Sequence, residues 1–296
     1  MVHHENCPVC KSSDIESSLL VKDFSVSGKE FAVWTCQVCS LRFTQDAPII
    51  EEIGDYYQSE QYISHTDSRQ GIIHKLYHLV RTYTLQKKRA LIRRVSGRTA
   101  GNVLDIGCGT GGFLNVMKDA GWNTVGLEPN ETARKTAASK GLDVYNSDDL
   151  FTLKQKFQVI TMWHVLEHVH ELHRYMNRIA TLLEQEGVFI VAVPNYTAND
   201  QLAYQQYWAA YDVPRHLYHF SPGSMKTLAE KHGFTIEKML PMWFDSFYVS
   251  MLSEKYRSGS VNYLSAFFNG LASNVSAIGN TQKCSSIIYV LRKPRA

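Results

Sequence analysis

Residues 103–114 read Val-Leu-Asp-Ile-Gly-Cys-Gly-Thr-Gly-Gly-Phe-Leu, an apolar strand that runs into a glycine-rich turn and then a helix. Glycines let a backbone approach a ligand closely, and the first turn of a helix offers unpaired N–H groups to it. Around this segment the pattern alternates. Strands are predicted at 103–106, 124–128, 143–145, 159–162 and 188–193, and helices at 113–120, 132–140 and 172–183. A further helix at 224–232 and strands at 234–240 and 284–291 follow. Strands alternating with helices imply a parallel sheet joined by right-handed crossovers.

Six cysteines are present; four form two C-x-x-C pairs, Cys7/Cys10 and Cys36/Cys39, while Cys108 and Cys284 stand alone. In a reducing compartment such pairs read as metal ligands rather than disulfides. Between them lie two strand-like runs, 18–24 and 30–35, joined by a turn at Val26–Lys29 that contains Gly28. That is a hairpin. So short a segment has little core of its own, and a tetrahedral zinc held by Cys7, Cys10, Cys36 and Cys39 would stabilise it.

No run approaches the ~18 apolar residues that span a bilayer. The opening MVHHENCPVC lacks the apolar core of a secretory signal, so a cytoplasmic location is expected. A net charge of +3 points to no particular partner. One stretch is different: from Ser68 to Leu104 no acidic residue occurs, while Arg69, Lys75, Arg81, Lys87, Lys88, Arg89, Arg93, Arg94 and Arg98 are basic. Ile72, Leu76, Leu79, Tyr83, Leu91 and Val95 recur there at helical spacing. A basic helix can meet phosphate or nucleic acid, but no recognition motif accompanies it, so a solvated face is expected.

The glycine turn also satisfies G-x-G-x-x-G through Gly107, Gly109 and Gly112, so a nicotinamide dinucleotide is a rival ligand. Asp105 decides between them. A carboxylate just before the first glycine would oppose a pyrophosphate, whereas it suits the ammonium and sulfonium of S-adenosylmethionine. Glu128, 21 residues after Gly107, can accept both ribose hydroxyls of either cofactor.

On Asp105, Gly107, Gly109 and Gly111 the chain resembles the class I S-adenosylmethionine-dependent methyltransferases over about residues 100–240. The resemblance implies a Rossmann-like α/β fold: a seven-stranded, mostly parallel sheet with helices on both faces, here with a small N-terminal zinc-binding hairpin. It places Cys108 in the cofactor turn, Glu128 and Pro129 at the ribose, Asp148 or Asp149 near the adenine, and Trp163 after the fourth strand. Units are expected at 1–45 (zinc module), 46–98 (helical linker), 99–240 (core, with an acceptor insertion at about 194–221) and 241–296 (lid and last strand).

Methyl transfer needs an aligned nucleophile and often a base, most often histidine. Two histidine clusters stand at strand ends. The segment Trp163–His168 is similar to one in ubiquinone-pathway O-methyltransferases, whose acidic and histidine positions hold a divalent cation; here His164 replaces the first acid. The segment 211–221 resembles the acceptor region of sugar C-methyltransferases, where a Tyr and an acid–His pair face the sugar; Tyr211 and His216 match, with Arg215 in place of the acid. His216 is therefore the first candidate base, His168 the second, and Arg215 a candidate phosphate anchor. The expected acceptor is a small molecule, such as a sugar, a nucleotide- or lipid-linked intermediate or a related metabolite. An RNA methyltransferase and a non-catalytic sensor of the cofactor are the alternatives. Residues 241–283, rich in aromatics, form a lid, a membrane-facing helix or a dimer face.

Overall fold

The computed structural model describes residues 1–57 and 72–294, with the backbone alone over 72–78. Three N-terminal strands, β1 (Ile15–Lys22), β2 (Glu30–Cys36) and β3 (Arg42–Thr44), pair antiparallel in sequence order. The hairpin turn is built by Asp23, whose carboxylate accepts from the backbone N–H of Ser25 and Ser27 at 3.0 and 2.8 Å.

Helix α1 (Ile72–Ser96) then leads to the main sheet. Its strands are β4 (Asn102–Ile106), β5 (Asn123–Leu127), β6 (Asp143–Tyr145), β7 (Phe157–Trp163), β8 (Leu183–Pro194), β10 (Thr235–Pro241) and β11 (Ser286–Arg292). The order is β10-β11-β8-β7-β4-β5-β6. All pairs from β8 to β6 are parallel, and β11 runs antiparallel to both its neighbours. The sequence-based expectation of seven mostly parallel strands is met. Between β4 and β7 the chain switches direction across the sheet, and open sheets bind ligands outside the carboxyl ends of strands at that point.

Crossover helices α2 (Gly112–Asp119), α3 (Glu131–Ala138), α4 (Leu172–Leu182) and α6 (Pro222–Lys231) connect the strands. In α4, Leu172, Met176, Ile179 and Leu182 recur at three-to-four spacing and all are buried. Ser221 starts α6 in a capping box with Ser224, and Pro222 supplies a fixed φ for the first turn. The insertion carries α5 (Asn199–Tyr204) and a two-residue strand β9 (Tyr218–His219). The last helices are α7 (Asp245–Ser258) and α8 (Tyr263–Gly279).

The hairpin module is not a free appendage. β9 adds to it as a fourth strand beside β3, and Cys7, Val9, Leu41 and Phe43 share one continuous core with the sheet. The helical expectation for 46–98 needs amending: Ile53–Tyr57 is a 3-10 turn, and among its described side chains the apolar stripe of α1 is buried at the helix end. Leu91 and Val95 are buried, whereas Leu79 and Tyr83 are 69% and 49% exposed. Arg69 and the side chains of Ile72, Lys75 and Leu76 lie outside the described residues. No described helix is long and apolar enough to cross a membrane.

Candidate active site

Asp105 ends β4 almost fully buried, and Thr161 Oγ1 on β7 donates to it at 2.6 Å. Burial pushes its carboxyl up to about 7, against the pull of Thr161 and of the Lys88 charge. The chain then turns through Gly107 and Gly109, both at positive φ (75° and 54°). A Cβ on Gly107 would lie 2.3 Å from Val165 Cγ2, so no other residue fits; one on Gly109 would point into open space. The open side of this turn is where a ligand can lie against bare backbone.

Glu128 follows β5 and is buried, its Oε2 accepting from Gly109 N and its Oε1 from Asn130 N, both at 2.9 Å. Pro129 beside it is exposed. The Cys108 thiol turns away from the turn to pack with Leu114, Ala137 and Leu142, and burial raises it far above an ordinary thiol. Asp148 and Asp149 separate here. Asp149 Oδ2 accepts from Asn146 N in a capping box, while the Asp148 carboxylate stays exposed. Of the two acids, only Asp148 thus keeps its carboxylate open to solvent.

Trp163 closes the other side of the crevice, edge-on to Phe113 at 5.7 Å, with its buried Nε1 unpartnered among the described residues. Lys88 sits 4.1 Å over its ring. The expectation that α1 shows only a solvated basic face fails at this residue. Burial pulls the Lys88 ammonium down to about 8, opposed by the charges of Asp105 and Asp245.

The second bank of the crevice comes from distant segments. His168 and His216 meet edge to face, ring centroids 4.5 Å apart. His216 Nδ1 lies 2.9 Å from the Ala210 carbonyl, and His168 Nδ1 3.1 Å from the Arg215 carbonyl. A carbonyl only accepts, so both rings carry the proton on Nδ1 and direct Nε2 elsewhere. His216 Nε2 is 4.0 Å from Asp212 Oδ2. Burial, followed by the His216 charge, lowers His168 to about 4. Tyr57, from the 3-10 turn, puts its hydroxyl 3.0 Å from His168 Nδ1. No motif marked Tyr57; only the folded chain brings it there.

Four residues from His168, His164 has the opposite character. It lies between Asp245 Oδ2 at 2.9 Å and Glu167 Oε1 at 3.3 Å. Burial alone would lower it, but the two carboxylates together raise it to about 10. Glu167 is fully buried, and neither of its oxygens has a hydrogen-bond partner among the described residues. One ligand atom each of Glu167, His168 and His216 lies within 4.8 Å of the others.

Two residues from the acceptor segment are placed differently from their sequence-based roles. Arg215 is buried and donates to Asp212 at 2.7 Å, Asp23 at 3.0 Å and the Tyr56 carbonyl at 2.8 Å. Its guanidinium is used up inside the protein, which excludes it as a phosphate anchor. Tyr211 is fully buried against Trp208 and His219, and its hydroxyl accepts from Arg42 at 2.6 Å and Gln201 at 3.1 Å. The structure brings His168 and His216 together but sets Tyr211 behind them as a brace to the hairpin module.

In that module, Cys7 and Cys39 sulfurs are 3.5 Å apart, as are those of Cys10 and Cys36, and all four lie within 4.8 Å. Thiolates about 2.3 Å from a tetrahedral ion stand ~3.8 Å apart, so the set fits zinc. From the module, Thr44 Oγ1 donates to the His216 carbonyl at 2.7 Å and Thr44 N to the Leu217 carbonyl at 3.0 Å.

The described geometry agrees with what the chain is similar to. A family model described as a methyltransferase domain matches residues 78–239, more than half of the chain. The C-methyltransferase NovU of Streptomyces niveus is 26% identical over 148 residues, 47% of this chain and 34% of that protein. A ubiquinone biosynthesis O-methyltransferase of Actinobacillus pleuropneumoniae serotype 7 is 33% identical over 138 residues, 42% of this chain and 56% of that protein. The chain thus spans between a third and just over half of the length of these curated relatives. The crystal structure of magnesium protoporphyrin IX methyltransferase from Synechocystis PCC 6803 with bound SAH superposes with a TM-score of 0.54 at 16% identity, covering 81% of this chain and 97% of that one. At such identity the likeness concerns the fold. With the acidic residue, the glycine turn and the strand order in place, the chain belongs to the methyltransferase-domain family and has its Rossmann-like fold.

Proposed function

We propose that this chain is an S-adenosylmethionine-dependent methyltransferase acting on a small-molecule acceptor, with His216 as the base. The carrying observation is the His168–His216 pair at 4.5 Å, with His168 in the turn just beyond the carboxyl end of β7. Asp105, the backbone of Gly107 and Gly109, Glu128, Asp148 and Trp163 would hold the cofactor. Bound there, it supplies a methyl group activated by a sulfonium.

The chain's own residues do the rest. His216 in its neutral form takes the acceptor's proton on Nε2, with Asp212 at 4.0 Å stabilising the imidazolium that results. His168, kept neutral, orients the acceptor through its Nε2, and Tyr57 and the Arg215 carbonyl fix its ring. The acceptor atom, freed of its proton by His216, would take up the methyl group that the cofactor supplies, and the proton would stay on His216. Zinc at Cys7, Cys10, Cys36 and Cys39 has a structural role: the module grips residues 216–219. The unit boundaries at 45, 98 and 240, and a cytoplasmic location, belong to the same proposal.

Glu167 favours a second mechanism. A buried carboxylate, ion-paired with His164 on one oxygen only and lying beside two imidazole nitrogens, suits a divalent cation, which would polarise an acceptor oxygen in place of proton transfer. Activity that dies in chelator and returns with magnesium or manganese, at unchanged zinc content, selects this mechanism.

The test of the acceptor class uses methyl-labelled S-adenosylmethionine, the purified protein and extract fractions. Label in small metabolites supports the proposal. Label in RNA replaces it with the basic-helix alternative, and cofactor binding with no label transfer anywhere leaves a sensor.

A further inference from the structure

Helix α8 is turned the wrong way round for a monomer. Its inner face is small and polar: Gly270 packs so closely on Phe247 that a Cβ would sit 2.8 Å from Cδ1. Ser273 donates to the buried Asp200 at 2.8 Å, and Asn274 donates to the Trp243 carbonyl at 2.8 Å. These contacts leave no freedom over which face looks outward. The outward face is apolar, with Leu264 73%, Phe268 63%, Leu271 40%, Val275 58% and Ile278 76% exposed.

The steps between these five positions are four, three, four and three, the spacing of a seam between two packed helices. Tyr263 and Phe267, 63% and 52% exposed, widen the strip on one side. At roughly 100 Å² of exposed surface each, the seven side chains present on the order of 700 Å². A typical monomer's largest apolar patch is about 300–600 Å², whereas a stable interface takes about 800 Å² from each partner. Charge narrows the choice of partner. Residues 263–279 contain no charged side chain, whereas helices that lie on membranes carry Lys and Arg on their polar face. A neutral strip meets no like-charge repulsion when it faces its own copy.

We propose that the chain forms a two-fold homodimer in which the outward face of α8 packs against the same face of a second copy. Packing of this kind is isologous and closes at two subunits. It is independent of which acceptor is methylated.

The test is sedimentation velocity on the full, zinc-loaded chain from ~1 to ~100 μM, beside the variant Leu264→Glu/Phe268→Glu/Val275→Glu. Wild type is expected to sediment as a dimer, and the variant as a monomer whose association is weakened at least ~100-fold. Its affinity for S-adenosylhomocysteine should match wild type, since all three side chains point to solvent within one subunit, and its thermal midpoint should fall only by what the lost association contributes. Phe268→Glu alone carries the same expectation if the triple variant melts early. A wild type that stays monomeric throughout overturns the proposal, as does a dimer that survives these substitutions. A monomer that floats with phosphatidylcholine–phosphatidylglycerol vesicles, and stops floating in the variant, assigns the strip to lipid instead.

Discussion

The two banks of the crevice reach the same place by different routes. On the cofactor bank, Asp105, Gly107, Gly109 and Glu128 follow one another through a strand, a turn and the end of the next strand. Each is positioned by local backbone: a positive φ, a buried strand end, two N–H groups on one carboxylate. On the acceptor bank, Tyr57, His168, Asp212 and His216 come from three separate segments and are tied together by contacts that cross the molecule. The hairpin module is the chief tie. Thr44 holds the His216 carbonyl, and Asp23 shares the Arg215 guanidinium with Asp212. The small hairpin thereby braces the segment that carries His216, and under the proposed function it serves as its scaffold.

If the banks are independent, His216→Ala should lower kcat by about 10²–10⁴ while calorimetry finds S-adenosylhomocysteine affinity within about twofold of wild type. A parallel loss of affinity would show that the banks are one unit. Arg215→Ala tests the scaffold. It leaves the buried Asp23 and the part-buried Asp212 without their shared cation, so chemical denaturation should register a loss of about 3–5 kcal/mol. Stripping zinc with a strong chelator should act on the acceptor bank alone. A shift of about 1 Å in His216 suffices for a drop of up to ~100-fold in kcat, again with little change in cofactor affinity.

A subtler contrast is electrostatic. Asp105 is held at about 7, so its charge is lost as pH falls through neutrality. Affinity for the cationic S-adenosylmethionine should therefore weaken from about pH 8 to pH 6, by at most ~10-fold per unit. The uncharged sulfur of S-adenosylhomocysteine should respond less, and equal responses measured by calorimetry would remove Asp105 from the sulfonium.

A last contrast concerns His164 and His168. With a folded value raised to about 10, His164 stabilises the fold fully below pH 6.5, and that stabilisation is lost as pH rises through 10. His168, lowered to about 4, contributes in the opposite sense: its share is present above pH 6.5 and lost as pH falls through 4. Together they put their joint maximum near pH 6.5. Urea unfolding across pH should show the alkaline decline flatten in His164→Gln and persist in His168→Gln.

Much of this was legible in the chain itself. The strands at 103–106 and 143–145 and the helix at 172–183 were found to within a residue or two, because each is a short run whose burial or periodicity depends on its own side chains. The strands and glycine turn that carry Asp105, Gly107, Gly109 and Glu128 were legible for the same reason. Arg215 misled because a lone arginine beside a histidine looks free until its carboxylates, one from position 23, fold onto it. Lys88 misled likewise: it leaves the solvated set because the fold sets it over the Trp163 ring.

By itself, then, the sequence determined the sheet, the glycine turn, its acidic neighbour and the four-thiol cluster, all features whose partners are near in the chain or whose spacing is stereotyped. Only the tertiary structure decided that Asp149 caps a turn while Asp148 stays open, that Tyr57 reaches His168, that Tyr211 lies behind the site, and that α8 wears its apolar face outward. Those outcomes depend on which distant group takes up a hydrogen bond or a charge first. That competition is settled in space, and no local pattern encodes its result.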